Sequence, residues 1–486
     1  MLFNSHEFIL LFLPICFVLF FALSNIHRRI SISFLILASL FFYGWWKVEY
    51  LALIILSIAC NYAFAKAISK WLTLSKFKSK LLLTCGVSAN LLLLGYYKYA
   101  NFFVSQVNVL LVDDIYFSKI ILPLAISFFT FQQIAYLVDS YRKEIEHHSF
   151  LEYCLFVTFF PQLIAGPIVH HKEMLPQFFN ESSFKPNANH ISIGLTLFSI
   201  GLFKKVALAD NVAVYATPVF SAANGGITMS VALAWQGVCA YTLQLYFDFS
   251  GYSDMALGLA RLFGIKLPEN FNSPYKSTSI VEFWRRWHIT LSRFLRDYLY
   301  IPLGGSRTGK SRRYLNLMLT MVLGGLWHGA GWNFIIWGFL HGSYLVINHF
   351  YTAIRIKLSS APPSTVEKLF YWLLTIFAVI VAWVFFRAET LDGALHLLKS
   401  MFGFLEVHGS QPKSNYYAWW LITMLFCIAF LFPNSNQIIT WVENVVLCTT
   451  AKRRYLSVSV SAFFAAQFFI SFGLISELSE FLYFNF

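Results

Sequence analysis

The chain has 486 residues, of which 58% are apolar and only 36 Lys+Arg and 23 Asp+Glu are charged. That 12% charge is about half the usage of an average soluble protein, which excludes a disordered chain and argues against an ordinary soluble enzyme. The net charge of +13 therefore has to be read from where the few cations sit.

Apolar runs close to the length that crosses a hydrocarbon layer, about 20 residues, recur at residues 8–23, 32–46, 51–67, 81–97, 120–138, 151–165, 231–247, 334–347, 370–386, 419–432 and 462–475. They predict an all-α polytopic integral membrane protein with about 10–12 crossings, some of the shorter runs being re-entrant or interfacial. The first run lacks a basic region ahead of it and a small-x-small site behind it, so it reads as a retained span and not as a cleaved signal peptide. Arg28 and Arg29 follow the first run, Lys70, Lys76, Lys78 and Lys80 the third, and Arg142 and Lys143 the fifth, whereas an intervening loop carries Asp113 and Asp114. The positive-inside rule then places the amino terminus outside and these basic loops in the cytoplasm.

The seven cysteines, at 16, 60, 85, 154, 239, 427 and 448, show no Cys-x-x-Cys spacing and read as small buried hydrophobes, with neither a disulfide framework nor a zinc site. His170, His171 and Glu173 lie in a polar stretch at 166–190, but no His-Glu-x-x-His pattern accompanies them and no metal is expected. There is no Pro/Gly/Ser linker, low-complexity tract or evident repeat, so residues 1–486 read as one membrane domain.

Its unusual part is 248–313, the longest stretch without a convincing span, expected to be a polar, basic segment that is cytoplasmic or re-entrant. Residues 255–315 hold eleven Lys/Arg against three acids, +8 of the +13. A cytoplasmic loop resting on anionic headgroups explains this charge, and so does an entrance for an anionic cytosolic donor; nucleic acid is not needed. Asp248 and Asp254 are six residues apart, on different faces of a helix, and so read as structural polar residues that pair with a cation, hold the Arg-rich segment or orient a histidine. Residues 284–300, WRRWHITLSRFLRDYLY, predict one amphipathic helix lying in the interface, with Trp287, Leu291, Phe294, Leu295 and Tyr298 opposite Arg286, Arg293, Arg296 and Asp297. The string GGSRTGKS at 304–311 matches the phosphate-binding P-loop literally. It follows a proline and no strand, so it reads as a basic glycine turn with at most a local contact to donor phosphate.

Beyond it, His328 lies in LGGLWHGAGWNF, an ionisable residue inside an apolar stretch and hence a functional candidate. Its glycines allow close backbone approach and Trp327 and Trp332 could wall a passage. His288 supplies a second imidazole. One as base, with the other orienting the acceptor or stabilising the oxyanion, would suffice for acyl transfer without a metal. The last six residues, FLYFNF at 481–486, form an aromatic tail that reads as an interfacial anchor, or as a site where Tyr483 accepts an acyl group and hands it on.

The stretches FFPQLIAGP at 159–167, FDFSGYSD at 247–254, NFNSPY at 270–275, FWRRWH at 283–288 and GGLWHGAGWN at 324–333 together resemble the membrane-bound O-acyltransferases, in particular the bacterial branch that acetylates alginate and peptidoglycan and D-alanylates teichoic acid. The resemblance spans most of the chain. It implies a ring of membrane helices around a thin centre with a catalytic tunnel, in the bacterial inner membrane. His328 and His288 match the branch's two histidines, and Trp284, Arg285, Arg286, Trp327, Trp332 and Asn333 would line the donor path. It further implies an acyl thioester donor (acetyl-CoA or an acyl carrier) on the cytoplasmic side, no bound cofactor, a cell-surface polysaccharide acceptor and a periplasmic SGNH-hydrolase-like partner. A transporter or channel for the acyl donor, leaving the chemistry to a separate periplasmic enzyme, is the alternative that the intramembrane Asp248 and His328 leave open.

Overall fold

The computed structural model describes residues 1–111, 116–145, 149–307, 309–358, 361–406, 414–446, 451–475 and 482. Every regular element among them is a helix, as a hydrocarbon solvent requires, because a helix satisfies its backbone polar groups within the segment. The chain forms two compact units. The first comprises Met1–Leu202, Tyr252–Glu269 and Ile439–Leu478, and the second Phe203–Gly251, Asn270–Ile438 and Ser479–Phe486.

The first unit holds α1 (Leu13–Ser24), α2 (Arg28–Gly44), α3 (Glu49–Leu74), α4 (Lys76–Asn108), α5 (Ile126–Tyr141), α6 (Phe150–Thr158), α7 (Phe160–Leu163), α8 (His171–Phe179) and nearly all of α9 (Ala188–Phe203). Lipid tails are as apolar as leucine, so buried amides help to hold such helices together. Asn61 on α3 and Asn90 on α4 exchange side-chain hydrogen bonds of 3.2 and 2.6 Å, and Ser57 donates to Gln133 on α5 at 3.1 Å. His171 is buried with Nδ1 3.4 Å from the Asp139 carboxylate, a structural position. No group of three His, Cys, Asp or Glu side chains among the described residues is arranged to hold a metal ion.

The second unit contains α10 (Asp210–Asn224), α11 (Val231–Leu262) as far as Gly251, α12 (Ile280–Arg286), α13 (Ile289–Leu295), α14 (Lys310–His328), α15 (Trp332–Leu358), α16 (Thr365–Arg387), α17 (Leu391–Met401) and α18 (Tyr416–Leu431). Among the described residues five helices are long and apolar enough to cross a membrane: Glu49–Leu74, Lys76–Asn108, Ala188–Asn224, Thr365–Arg387 and Leu456–Gly473. The pair Tyr416–Leu431 and Ser435–Asn444, bent by 56°, would make a sixth.

Several elements depart from the sequence pattern. Ala188–Asn224 is absent from the apolar runs because Lys204, Lys205 and Asp210 interrupt it. The helix accommodates them with a π turn at Lys204–Ala209 and a 2.8 Å pair between Lys205 and Asp210. The run at 151–165 is broken at Phe159 between α6 and α7, and the helix in the run at 120–138 starts only at Ile126. Residues 248–262 belong to α11, so the polar segment begins after Leu262 and not at Asp248. The single amphipathic helix expected over 284–300 is instead α12, α13 and a π turn at Arg296–Tyr300, with Trp287 and His288 buried at the break. Residues 301–307 form a turn, φ is 110°, 55° and 98° at Gly304, Gly305 and Gly309, and among the described residues no strand precedes them.

The hairpin of α14 and α15 brings His328 to its place. A Cβ on Gly325 would overlap the carbonyl oxygen of Phe334, and one on Gly338 that of Met321, so the two backbones touch because glycine allows it. Gly338→Val is accordingly expected to destabilise the protein by about 3 kcal/mol, read as a lower unfolding temperature in detergent. Gly95→Ala, where a Cβ meets nothing within 4 Å, should leave that temperature unchanged or raise it.

Candidate active site

The site begins in the loop that follows α11. Tyr275 donates its hydroxyl to the Thr242 carbonyl on α11 at 2.7 Å, and Trp372 on α16 donates to the Tyr275 carbonyl at 2.8 Å. The loop is thereby pinned to two helices, and Asn270 is placed in the core at 1% exposure. Ser279 caps α12 by accepting from Glu282 N at 3.2 Å, and the Glu282 carboxylate pairs with Arg286 at 2.7 Å. Arg286 therefore serves α12 itself.

After α12 the backbone turns through His288, at φ 42° and ψ 55°, a left-handed conformation that a β-carbon disfavours by about 1–2 kcal/mol. Asn270 holds it there. Its Oδ1 lies 3.0 Å from His288 Nδ1 and accepts from the Thr290 amide at 3.3 Å and the Thr290 hydroxyl at 2.9 Å. Its backbone carbonyl accepts from the Ile289 amide at 3.0 Å. Because the Thr290 amide can only donate, the atom it meets is the carboxamide oxygen, and His288 must donate to that oxygen through Nδ1–H. The imidazole thus carries its lone pair on Nε2. Burial pushes its pKa down to about 3, which keeps the ring neutral and Nε2 a hydrogen-bond acceptor or base at neutral pH.

His328 is the last residue of α14 and is 4% exposed. Three rings enclose it edge to face: Trp327 at 4.8 Å, Trp337 of α15 at 5.1 Å and Phe386 of α16 at 5.1 Å between centroids. Trp327 also approaches His288, at 6.4 Å, while Phe249 of α11 meets the other histidine edge to face at 4.8 Å. The two predicted histidines are therefore brought to one indole, Trp327, in a buried aromatic setting. Asn333 fixes the start of α15 by donating to the Ala388 carbonyl at 2.7 Å. Trp332 is 53% exposed, and Arg285 is exposed on the last turn of α12.

Asp248 is 1% exposed on α11 and pairs with the buried Lys205 at 2.8 Å. Its second oxygen accepts from the Leu482 amide at 3.0 Å, so the carboxylate is engaged by a lysine and by a tail backbone. Asp254 is buried in the first unit. Tyr483 lies outside the described residues. Of the basic residues in the polar segment, Arg296 pairs with Asp297 at 2.7 Å and Lys276 donates to the Phe432 carbonyl at 2.7 Å, which leaves less of the local charge available to a donor than the sequence suggests.

The sequence reading gave no role to Asn270, Lys205, Trp337, Phe386 or His341. His341 is wholly buried on α15 and accepts from Trp284. It stands in an apolar stretch beside a glycine, the same signal that singled out His328.

The model of the membrane-bound O-acyltransferase family matches residues 40–388. The chain is 42% identical to the peptidoglycan O-acetyltransferase of Helicobacter pylori, over all of this chain and 98% of that protein. It is 42% identical to the probable alginate O-acetylase of Azotobacter vinelandii, covering 83% of this chain and 78% of that one. A teichoic acid D-alanyltransferase of Streptococcus thermophilus is 31% identical over 46% of this chain and 56% of its own.

Breaking the Lys205–Asp248 pair by Lys205→Met strands a buried carboxylate and is expected to cost about 3–5 kcal/mol, measured by unfolding of the detergent-solubilised protein. The double change Lys205→Met and Asp248→Leu should recover most of that loss. A double variant as unstable as the single one would contradict the pairing.

Proposed function

The chain belongs to the membrane-bound O-acyltransferase family and is an acyltransferase, and on that premise we propose that it moves an acetyl group from a cytoplasmic thioester to hydroxyls of a cell-surface polysaccharide. The observation that carries this reading is the meeting of His288 and His328 at Trp327, two buried imidazoles in an aromatic setting. In the reading, His328 takes the proton of the acceptor hydroxyl, whose oxygen attacks the thioester carbonyl. The C–S bond breaks, and the departing thiolate takes the proton back from His328. His288, with Nδ1–H given to Asn270, has no donor left for an oxyanion; it assists by accepting at Nε2 from a donor beside the reacting hydroxyl, whose own proton goes to His328, and so orients the acceptor.

The donor, acetyl-CoA or an acyl carrier, approaches past Arg285 and Trp284 from the cytoplasm, with no bound cofactor taking part. The protein lies in the bacterial inner membrane with its amino terminus in the periplasm, as the alternation of Arg28, Arg29 and Lys70–Lys80 against Asp113 and Asp114 supports. The polysaccharide is peptidoglycan or an alginate-like polymer, the substrates in the names of the peptidoglycan and alginate relatives. The first acceptor hydroxyl is that of Tyr483, which relays the acyl group to a periplasmic SGNH-hydrolase-like partner and so to the polymer. Support for this relay comes from Asp248, which ties Leu482, the residue before Tyr483, into the unit that holds both histidines.

Vesicles containing the purified protein and labelled acetyl-CoA test the reading. Loss of thioester or appearance of label on the protein supports transfer, and passage of intact acetyl-CoA across the bilayer supports the channel reading against it. His328→Ala should lower cleavage by about 100- to 10,000-fold while the protein still accumulates in the membrane, and cleavage at the wild-type rate would remove His328 from the chemistry. Tyr483→Phe keeps the aromatic anchor and removes the hydroxyl. It should abolish acetylation of the polymer in cells, and undiminished acetylation would eliminate the relay.

A further inference from the structure

His341 takes no part in the acyl transfer described above, yet it touches the supports of both catalytic histidines. It is 0% exposed on α15, ringed by Phe283, Trp284, Trp337, Tyr344 and Trp383 with centroids between 4.8 and 6.1 Å away. A leucine or phenylalanine would fill such a place without burying polar atoms. The reason for an imidazole is its hydrogen bond: Trp284 Nε1–H donates to His341 Nδ1 at 3.3 Å. An indole can only donate, so Nδ1 bears the lone pair, the ring is neutral and its proton is on Nε2. That Nε2 is buried and has no hydrogen-bond partner among the described residues. A donor left so costs about 1–3 kcal/mol, a penalty that any apolar residue would avoid.

What the bond connects is specific. Trp284 lies on α12, four residues before His288, and α12 ends at Arg286, where the chain enters the left-handed turn at His288. On its other side His341 packs against Trp337, edge to face at 4.8 Å, and Trp337 in turn meets His328 edge to face at 5.1 Å. Of the three indoles around this buried imidazole, Trp284 lies on the helix that delivers His288 and Trp337 forms part of the wall of His328.

We infer that His341 is a positioning residue, whose acceptor Nδ1 sets the placement of Trp284 and Trp337 and through them registers His288 and His328 to each other. The inference rests on the acyl-transfer reading for its effect on rate, but the placement itself is independent of it. His341→Phe keeps the ring and removes the acceptor, Trp284→Phe removes the donor, and His341→Asn restores an acceptor close to the place of Nδ1.

Two readouts are taken on purified full-length protein. The first is the rate at which diethylpyrocarbonate modifies His288 and His328, followed peptide by peptide; the second is kcat and KM for cleavage of labelled acetyl-CoA in vesicles. Modification of both histidines should rise several-fold in His341→Phe and in Trp284→Phe, and fall back in His341→Asn. In His341→Phe kcat per folded molecule should drop by about 100-fold, the scale of an ångström-sized misplacement, with KM little changed; Trp284, which lies on the donor path, is read by the modification rates, and there the double variant should be no worse than either single one. A merely structural role would lower the unfolding temperature and leave both readouts at wild-type values in the protein that remains folded. If His341→Phe fails to fold, Trp284→Phe, at a partly exposed position, carries the test. Modification of both histidines at the wild-type rate in the folded variants overturns the inference whatever the activity does, and so does a wild-type kcat. If the wild-type protein cleaves no thioester, the acyl-transfer reading fails on its own and the modification rates still decide the role of His341.

Discussion

A histidine held at φ 42° is about 1–2 kcal/mol less comfortable than one in a right-handed turn, and here the offset comes from the side chain of Asn270. Its carboxamide oxygen meets the His288 ring and both the amide and the hydroxyl of Thr290, fixing conformation and tautomer together. Everything around the loop serves this clamp. Tyr275 and Trp372 pin the loop, the Ser279 cap and the Glu282–Arg286 pair end α12 at the right residue, and Phe249 closes over the ring. Strain of this kind persists where surroundings over-determine it, which is common at sites of chemistry.

The surroundings of the two histidines are aromatic and nearly uncharged, and the buried charges of the second unit are confined to a set of their own. Lys205 pairs with both Asp210 and Asp248 inside the helices, which lowers the cost of holding charge at membrane depth. A neutral His288 fits the same separation, because its partner at Nδ1 is an amide and burial disfavours the imidazolium. The structure thereby separates the work of holding a tail, done by Asp248 on Leu482, from the work of holding lone pairs, done by Asn270 and Trp284.

Much of this was legible in the sequence, for physical reasons that differ from residue to residue. Composition alone gave the all-helical membrane class, and His328 stood out because an ionisable residue between glycines and tryptophans in an apolar stretch is costly without a purpose. The break at His288 was not legible. An amphipathic pattern continues through residues 284–300, and what interrupts it is a hydrogen bond that His288 donates to Asn270, 18 residues earlier, which no local periodicity can encode. Lys205 misled for the opposite reason: a lysine in an apolar run looks like the end of a span until its two aspartates, one of them on another helix, are known. His341 carries the same signal as His328 but lies outside the motif strings, so nothing local distinguishes it.

The claim on which the rest depends is that Asn270 leaves the His288 lone pair on Nε2. Nitrogen-15 spectra of histidine-labelled protein, with the His288 resonances identified by their loss in His288→Gln, read this directly. At neutral pH the account predicts a protonated Nδ1 and an unprotonated, pyridine-like Nε2, with Asn270→Ala abolishing that preference. A His288 protonated at Nε2, or one whose tautomer is indifferent to Asn270, would contradict it.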